Sequence, residues 1–506
     1  MLACIPASTL LGVTGHPVAV EVHVSNGLPA FTVVGLPDTS CREARDRVRA
    51  AVLSSGLDWP LRRITVNLAP SGVRKEGAAL DLAIAIGVLV ANGDVSASTV
   101  EGLGLLGELG LDGSIRPIAG ALPLVDALLT PTVVVPRGNV EEARLLGRHQ
   151  VRSVSRLSEL VAVLSGTQAW DEPPDCTPPA PRVDVPDLVD VRGQAVARLA
   201  LELAAGGGHH LLLIGPPGAG KTMLARRLPG LLPDLDADAA LDVTRIHSAA
   251  GIGLPAGGLV RQPPFRAPHH GASPVAMVGG GSSVLRPGEI SASHRGVLFL
   301  DEMGEFSPVA LDSLRQPLEE GVVRVSRAVG SITFPADFLL VAATNPCPCG
   351  ELGTPGACRC SEGARLRYVR RLSGPLLDRF DLRIQVQRPS AHEMFCAPPG
   401  QSTSEVRARV QRAREAAAER GVAANADLDA AALDRLAPLT PAALDLAEVA
   451  ISDGRLSARG LHRVRTVSLT LADIAQESPG VEHLAQALNL RVDPLVVDHR
   501  VAVTHG

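Results

Sequence analysis

The chain has 506 residues, enough for two to four domains with cores of their own. Its net charge of −5 gives no global basic signature, and a single tyrosine, Tyr368, argues against an aromatic platform that stacks several bases. Eight cysteines are too few for a disulfide scaffold at this length, the amino terminus lacks the pattern of a signal peptide, and no uncharged apolar run is long enough to span a bilayer; a soluble, cytoplasmic protein with no membrane partner is expected.

Residues 1–165 read as a mixed α/β block. Segments 18–24 and 64–68 alternate like strands, 40–55 carries helical periodicity with dense charge, and 78–90 reads as an apolar helix. Residues 166–187 are rich in Pro and Asp with almost no periodicity, which predicts a linker. A second α/β block covers 188–395. Residues 396–490 are rich in Ala, Leu and Arg and read as helices with turns near Gly421, Pro438 and Gly454, followed by an irregular tail at 491–506. No internal repeat is visible.

The second block carries the chemistry. Gly215-Pro216-Pro217-Gly218-Ala219-Gly220-Lys221-Thr222 completes the phosphate-loop pattern, with an apolar strand before it and a helix start after it. The glycines let backbone N–H groups turn toward phosphates, Lys221 reaches the terminal phosphates of ATP, and Thr222 holds Mg²⁺. Only two lysines exist, Lys75 and Lys221, so a compositional preference for arginine has spared the phosphate loop, where a flexible point charge is needed. Residues 296–302 form an apolar strand ending in Asp301 and Glu302. Asp301 is expected to hold Mg²⁺ through water and Glu302 to orient or deprotonate the attacking water. A third apolar strand, 339–345, ends in Asn345, placed to sense a γ-phosphate.

The order of phosphate loop, Asp-Glu strand, Thr-Asn strand, Leu376-Leu377-Asp378-Arg379-Phe380-Asp381 and Ser457-Ala458-Arg459-Gly460 resembles AAA+ ATPases of the magnesium-chelatase and helicase-related branch. That resemblance implies an AAA+ core with a helical lid, Asn345 as sensor 1, Arg379 as an arginine finger acting on a neighbouring subunit's nucleotide, Arg459 as sensor 2 on the lid, and a hexameric ring. Phe265-Arg266-Ala267-Pro268-His269-His270, Pro287-Gly288-Glu289-Ile290-Ser291 and Asn345-Pro346-Cys347-Pro348-Cys349-Gly350, with segments 31–38 and 62–70, are similar to the ComM/YifB family over nearly the whole chain. Members of that family are tied to processing incoming DNA during natural transformation, one as a hexameric helicase driving branch migration. The resemblance therefore implies a homo-hexameric ATPase acting on single-stranded or branched DNA, with recombination or DNA-uptake proteins as partners.

Gly107-Glu108-Leu109, residues 113–120 and residues 75–81 resemble the Lon-type serine–lysine protease domain. Such a site needs a serine nucleophile and a lysine base. Aligned by motif, Ala79 and Leu122 take those positions, so the resemblance implies a noncatalytic domain for assembly or substrate guidance. Lys75 reads as a surface lysine.

Cys347, Cys349, Cys358 and Cys360 follow a C-x-C, eight residues, C-x-C spacing, with Gly350, Gly353 and Gly356 for tight turns. A closed Zn²⁺ site, free reduced thiols and a redox switch are all open readings. Cys4, Cys41, Cys176 and Cys396 are scattered and read as unpaired. His269 and His270 read as hydrogen-bonded loop histidines, with zinc ligation or nucleic-acid contact as alternatives. Basic charge is local: Arg365, Arg367, Arg370 and Arg371 surround Tyr368, and Arg324 and Arg327 lie on an expected hairpin, 322–325 with 331–334, turning near Gly330. In this ATPase branch a hairpin just before the sensor 1 strand tends to line the central pore, which implies nonspecific phosphate contacts; solvated faces or intersubunit salt bridges are the alternatives. The expected function is a Mg²⁺-dependent ATPase ring that moves or remodels DNA. The alternatives are a chelatase-type or protein-remodelling motor without DNA dependence, and an ATP-dependent protease, which Ala79 and Leu122 oppose.

Overall fold

The computed structural model describes residues 2–35, 38–72, 75, 78–171, 185–281, 285–327, 330–352, 356–372 and 374–491. Most of the expected linker, Cys176, Gly353, the tail beyond Arg491 and the side chains of Cys41 and Arg327 lie outside the described residues.

The first block opens with two long antiparallel strands, β1 (Leu2–Leu11) and β2 (Thr14–Ser25), then β3 (Ala30–Val34) and β4 (Arg63–Ala69). They form one sheet in the order β1-β2-β4-β3. Alternation sends Val18, Val20, Val22 and Val24 inward together with Ile64, Val66 and Leu68. Against that sheet lies the helix Asp81–Asn92, buried at every position from Asp81 to Ala91. An apolar run this continuous has no solvent face, so the helix sits inside the block rather than upon it. It ends where Gly93 turns left-handed at φ +96° and donates to the Leu89 carbonyl. Short strands follow: β5 (Leu103–Leu105), the hairpin arms β6 (Glu108–Leu109) and β7 (Ile115–Arg116), β8 (Thr132–Pro136) and β9 (Gln150–Val154), with β5, β8 and β9 in a parallel sheet. Ala79 and Leu122 are both buried. Lys75 corrects the surface reading: it is 1 % exposed, with its ammonium donating to the Pro70 carbonyl, and burial lowers its pKa.

The second block is built on β10 (Leu211–Ile214), β11 (Phe265–Arg266), a small hairpin of β12 (Gly279–Gly280) and β13 (Arg286–Pro287), β14 (Val297–Leu300), the hairpin β15 (Val322–Arg327) and β16 (Gly330–Pro335), β17 (Leu339–Thr344) and β18 (Leu382–Gln385). The main sheet is parallel, in the order β11-β14-β17-β10-β18. Strands β10, β14 and β17 are buried at every residue, which fits a sheet covered on both faces and explains their uninterrupted apolar sequence. The chain leaves β10, crosses to the far edge at β11, and works back through β14 and β17. This connectivity sets the carboxyl ends of β14, β17 and β10 side by side, the end of an open parallel sheet where ligands bind.

Helices Thr403–Glu419, Ala430–Leu436, Pro441–Ser452, Ala458–Ala475 and Val481–Asn489 form the carboxy-terminal bundle. Ser402 and Glu405 cap the first of them reciprocally, and Ser457 caps the helix that carries Arg459. The bundle docks on the sheet through polar contacts that have little water around them. Buried His209 meets the Thr470 hydroxyl at 2.8 Å, and Asp381, 4 % exposed, joins Arg463 to the His210 N–H. Burial opposes ionisation of Asp381, but Arg463, His209 and His210 outweigh it and its pKa lies below the usual value.

The first block rests on the helix Ala237–Ala250 of the second. Asp126 pairs with Arg245 at 3.0 Å, Gly120 N–H donates to the Ser248 carbonyl at 2.9 Å, and the Ser248 hydroxyl donates to Glu142. The turn at Gly12 packs on Ile332 and Phe334 of the β15–β16 hairpin. No described helix is long and apolar enough to cross a membrane.

Candidate functional site: a nucleotide site at the carboxyl ends of the parallel strands

Strand β10 delivers the phosphate loop. Gly215 is required there because a Cβ would stand 2.1 Å from the Val386 carbonyl oxygen, closing the approach of the chain after β18. Gly218, at φ +79°, faces open space where a side chain would otherwise project. From behind, the Gln194 side-chain amide donates to the Ala219 carbonyl at 2.8 Å, and Arg388 Nε donates to the Pro217 carbonyl at 3.0 Å.

Lys221 Nζ donates to the carbonyls of Gly215 (2.6 Å) and Pro216 (3.0 Å) and to Asn345 Oδ1 (3.2 Å). Burial lowers its pKa, against the opposing pull of Asp301 and Glu302. Thr222 Oγ1 donates to Asp301 Oδ2 at 2.8 Å. A hydroxyl and a carboxylate thus converge beside a lysine and an open glycine turn, an all-oxygen pair suited to Mg²⁺ next to a phosphate cradle.

Glu302 follows in a left-handed conformation, φ +52°. Its carboxylate is exposed, and Oε2 lies 3.5 Å from His270 Nδ1. The rings of His269 and His270 are 4.1 Å apart between centroids. A cleft of about 1630 Å³ opens here, lined among others by Thr222, Asp301, Glu302, His269 and His270.

Family models match three stretches of the chain: "Magnesium chelatase, subunit ChlI" over residues 187–394, "Subunit ChlI of Mg-chelatase" over 20–139, and "Magnesium chelatase, subunit ChlI C-terminal" over 400–491. An uncharacterised protein of Mycobacterium tuberculosis is 46% identical over 491 residues, 95% of this chain and 96% of that protein. The uncharacterised protein YifB of Escherichia coli is 42% identical over 506 residues, 98% of each. The competence protein ComM of Haemophilus influenzae is 41% identical over 503 residues, 97% of each. The chain belongs to the ComM/YifB family of magnesium-chelatase-like AAA+ proteins.

Membership implies an ATPase that uses ATP and Mg²⁺, and the convergence of Lys221, Thr222, Asp301 and Asn345 fits both. The two arginines that the AAA+ resemblance implies as finger and sensor 2 share one acidic partner. Arg379 is 6 % exposed, bonded to Glu319 and, at 2.6 Å, to the Pro375 carbonyl. Arg459 is largely exposed, with Glu319 at 3.9 Å. The structure brings these two together at Glu319.

The basic residues divide. Arg324 projects from the outer face of β15 but pairs with Glu320. Arg365 is drawn into the cysteine loop, donating from both Nε (3.2 Å) and Nη2 (3.1 Å) to the Cys360 carbonyl. Arg367, Arg370 and Arg371 are exposed. Tyr368, at the centre of the basic cluster in sequence, is buried against Gly304, with its hydroxyl 3.1 Å from Thr344 Oγ1. It anchors the helix Glu362–Arg371 to the end of β17.

The four loop cysteines come together: their sulfurs all lie within 4.8 Å of one another. Burial pushes the Cys347 thiol up to about 12, while the Glu351 N–H draws Cys349 down to about 6. Cys4 and Cys396 are free and exposed.

Sequence reading missed the contacts of His270, Gln194 and Arg388. His270 stood out only as part of a His pair in a Gly- and Pro-rich insert. Gln194 and Arg388 lie outside every motif, and only the fold carries them to the loop.

Proposed function

We propose that this protein is a Mg²⁺-dependent ATPase ring that translocates on or remodels DNA, in DNA uptake, recombination or repair. The observation that carries the ATPase part of this reading is the meeting of Lys221 with Asn345 and of Thr222 with Asp301 at the ends of three adjacent parallel strands. Lys221 exchanges loop carbonyls for the terminal phosphates of ATP. Thr222 and Asp301 hold Mg²⁺, which when bound offsets phosphate charge. Glu302 orients the attacking water and takes up its proton. Asn345, held beside Lys221, reports the γ-phosphate to β17. Arg379 supplies positive charge to the neighbouring subunit's site in a homo-hexamer.

For the DNA step, the Haemophilus relative is named a competence protein, and Arg324, Arg327, Arg367, Arg370 and Arg371 supply local basic charge on a chain of net charge −5. The first block, Lon-like in its motifs but with alanine and leucine at the dyad positions, serves assembly or substrate guidance and cleaves no peptide.

The test is ATP hydrolysis by the full chain with and without single-stranded DNA at low and moderate salt. We expect stimulation by DNA that salt reduces, that Lys221→Ala abolishes, and that Arg324→Ala with Arg327→Ala weakens. Robust hydrolysis indifferent to DNA moves the reading to a chelatase-type or protein-remodelling motor. The pairing of Arg324 with Glu320 is the observation on that side.

A further inference from the structure

The loop between β17 and the helix Glu362–Arg371 carries four thiols that the nucleotide chemistry above does not use. We propose that Cys347, Cys349, Cys358 and Cys360 bind one Zn²⁺ in a closed tetrathiolate site that braces Asn345 and the phosphate loop.

The geometry argues for a metal over the other fates of clustered thiols. Zn–S bonds of about 2.3 Å in a tetrahedron place sulfurs about 3.8 Å apart. Cys347 and Cys358 are separated by 3.8 Å, Cys349 and Cys358 by 3.7 Å, and Cys347 and Cys349 by 3.4 Å. A disulfide requires about 2.05 Å, so these sulfurs are packed as a cluster without being bonded in pairs. Gly350 (φ +80°) and Gly356 (φ +72°) make the reversals that turn Cys349 and Cys358 inward. Arg365 donates both Nε and Nη2 to the Cys360 carbonyl, fixing the last ligand's backbone from outside, as supporting groups around metal ligands do. Four protein ligands leave no open coordination position, so the ion is structural and not catalytic. Binding converts each protonated thiol to thiolate and releases its proton to solvent.

The site is joined to the nucleotide pocket at three points. Cys347 lies two residues beyond Asn345, whose Oδ1 holds Lys221. A Cβ on Gly350 would stand 2.5 Å from Pro217 Cδ, so the loop presses on the phosphate loop with no space between. Arg388 links Glu351 (2.8 Å) to the Pro217 carbonyl (3.0 Å). Clamping four cysteines therefore limits the positions open to Asn345 and Pro217 together.

The full chain, purified without chelator, is tested for metal content by mass spectrometry and for nucleotide affinity with a fluorescent ATP analogue. We expect about one zinc per protomer, thiolate-to-metal charge-transfer absorption when Co²⁺ replaces it, and loss of the metal in Cys358→Ser/Cys360→Ser. Stripping zinc from the unmutated chain should weaken ATP-analogue binding severalfold, and adding Zn²⁺ back should restore it; this arm does not depend on the variant folding. A chain that holds no zinc and takes up neither Zn²⁺ nor Co²⁺ overturns the proposal, as does equal zinc in the variant. Zinc that leaves with no change in nucleotide binding overturns the bracing role. Stoichiometry is read without DNA or turnover, so this result stands apart from the fate of the DNA-motor reading.

Discussion

Glu302 and Gln194 are two of only four non-glycine described residues with positive φ, the others being Arg295 and Gln476. Each such conformation costs about 1–3 kcal/mol and persists only where its surroundings hold it. Both lie at the nucleotide site, Gln194 behind the phosphate loop and Glu302 at the end of the Asp-Glu strand. The Glu302 carboxylate lies 3.5 Å from His270, and its N–H donates to Asp301 Oδ1 at 3.0 Å. His270 is therefore placed to help orient the exposed Glu302 carboxylate, which we propose as the group that positions the attacking water. Replacing it with Ala should lower kcat roughly 10- to 100-fold, the cost of a misplaced catalytic group, while ATP affinity stays within about twofold because His270 touches neither Lys221 nor Thr222. His270→Asn, which keeps a side-chain donor, should recover part of the loss. Steady-state kinetics of the two variants check this; an equal loss in both, or a loss confined to KM, would remove the positioning role.

Elements with strong periodicity were legible from sequence, and elements held by long-range pairing were not. Strands β10, β14 and β17 announced themselves as apolar runs with chemistry at their ends, and the lid helices by their Ala-, Leu- and Arg-rich composition. Strand β1 gave no comparable signal, because its form depends on ten paired positions along β2. The phosphate loop could be located residue by residue, since it is local in sequence. The contacts of Tyr368 could not: sequence places it among arginines, while the fold turns it onto Gly304 and Thr344. The same holds for His209, an ordinary histidine in sequence that packs fully buried between sheet and lid. Burial lowers its pKa from the ordinary 6.5 to about 4, with Asp381 opposing and Arg414, His210 and Arg463 reinforcing. Above pH 6.5 folded and unfolded chains both carry it neutral. Between about 6.5 and 4 the unfolded chain takes up a proton that the folded chain refuses, so its contribution to stability is lost as pH falls, by roughly 2–4 kcal/mol in total. His209→Gln cannot charge and can still bond to Thr470, so its melting temperature should fall less steeply across that window. Parallel melting curves for the two chains from pH 7 to 4 would show that His209 is not the group responsible.

At the scale of the molecule, the two arginines gathered at Glu319 bear on whether the site is complete within one chain. Arg379 Nε is buried with no hydrogen-bond partner among the described residues, a deficit of about 1–3 kcal/mol that a second position could relieve. Its partner Glu319 is half exposed and also faces Arg459, so water screens the pair and lowers the cost of parting it. The same deficit at Arg198 and Arg463 Nε means that it does not by itself single out Arg379, whose action on a nucleotide of another subunit is a proposal that subunit mixing tests. An arginine supplied in trans is worth about 10³–10⁵ in rate, so Arg379→Ala should leave ATP binding intact and abolish hydrolysis, while Lys221→Ala abolishes both. The decisive experiment mixes the two inactive proteins under conditions that allow subunits to exchange. If Arg379 acts across an interface, an Arg379→Ala subunit contributes an intact phosphate loop and its Lys221→Ala neighbour contributes an intact arginine, so some mixed sites hydrolyse ATP and activity returns. If Arg379 serves its own chain, every site in the mixture lacks one of the two groups and no activity returns at any ratio. Its part in hydrolysis would then lie within its own subunit.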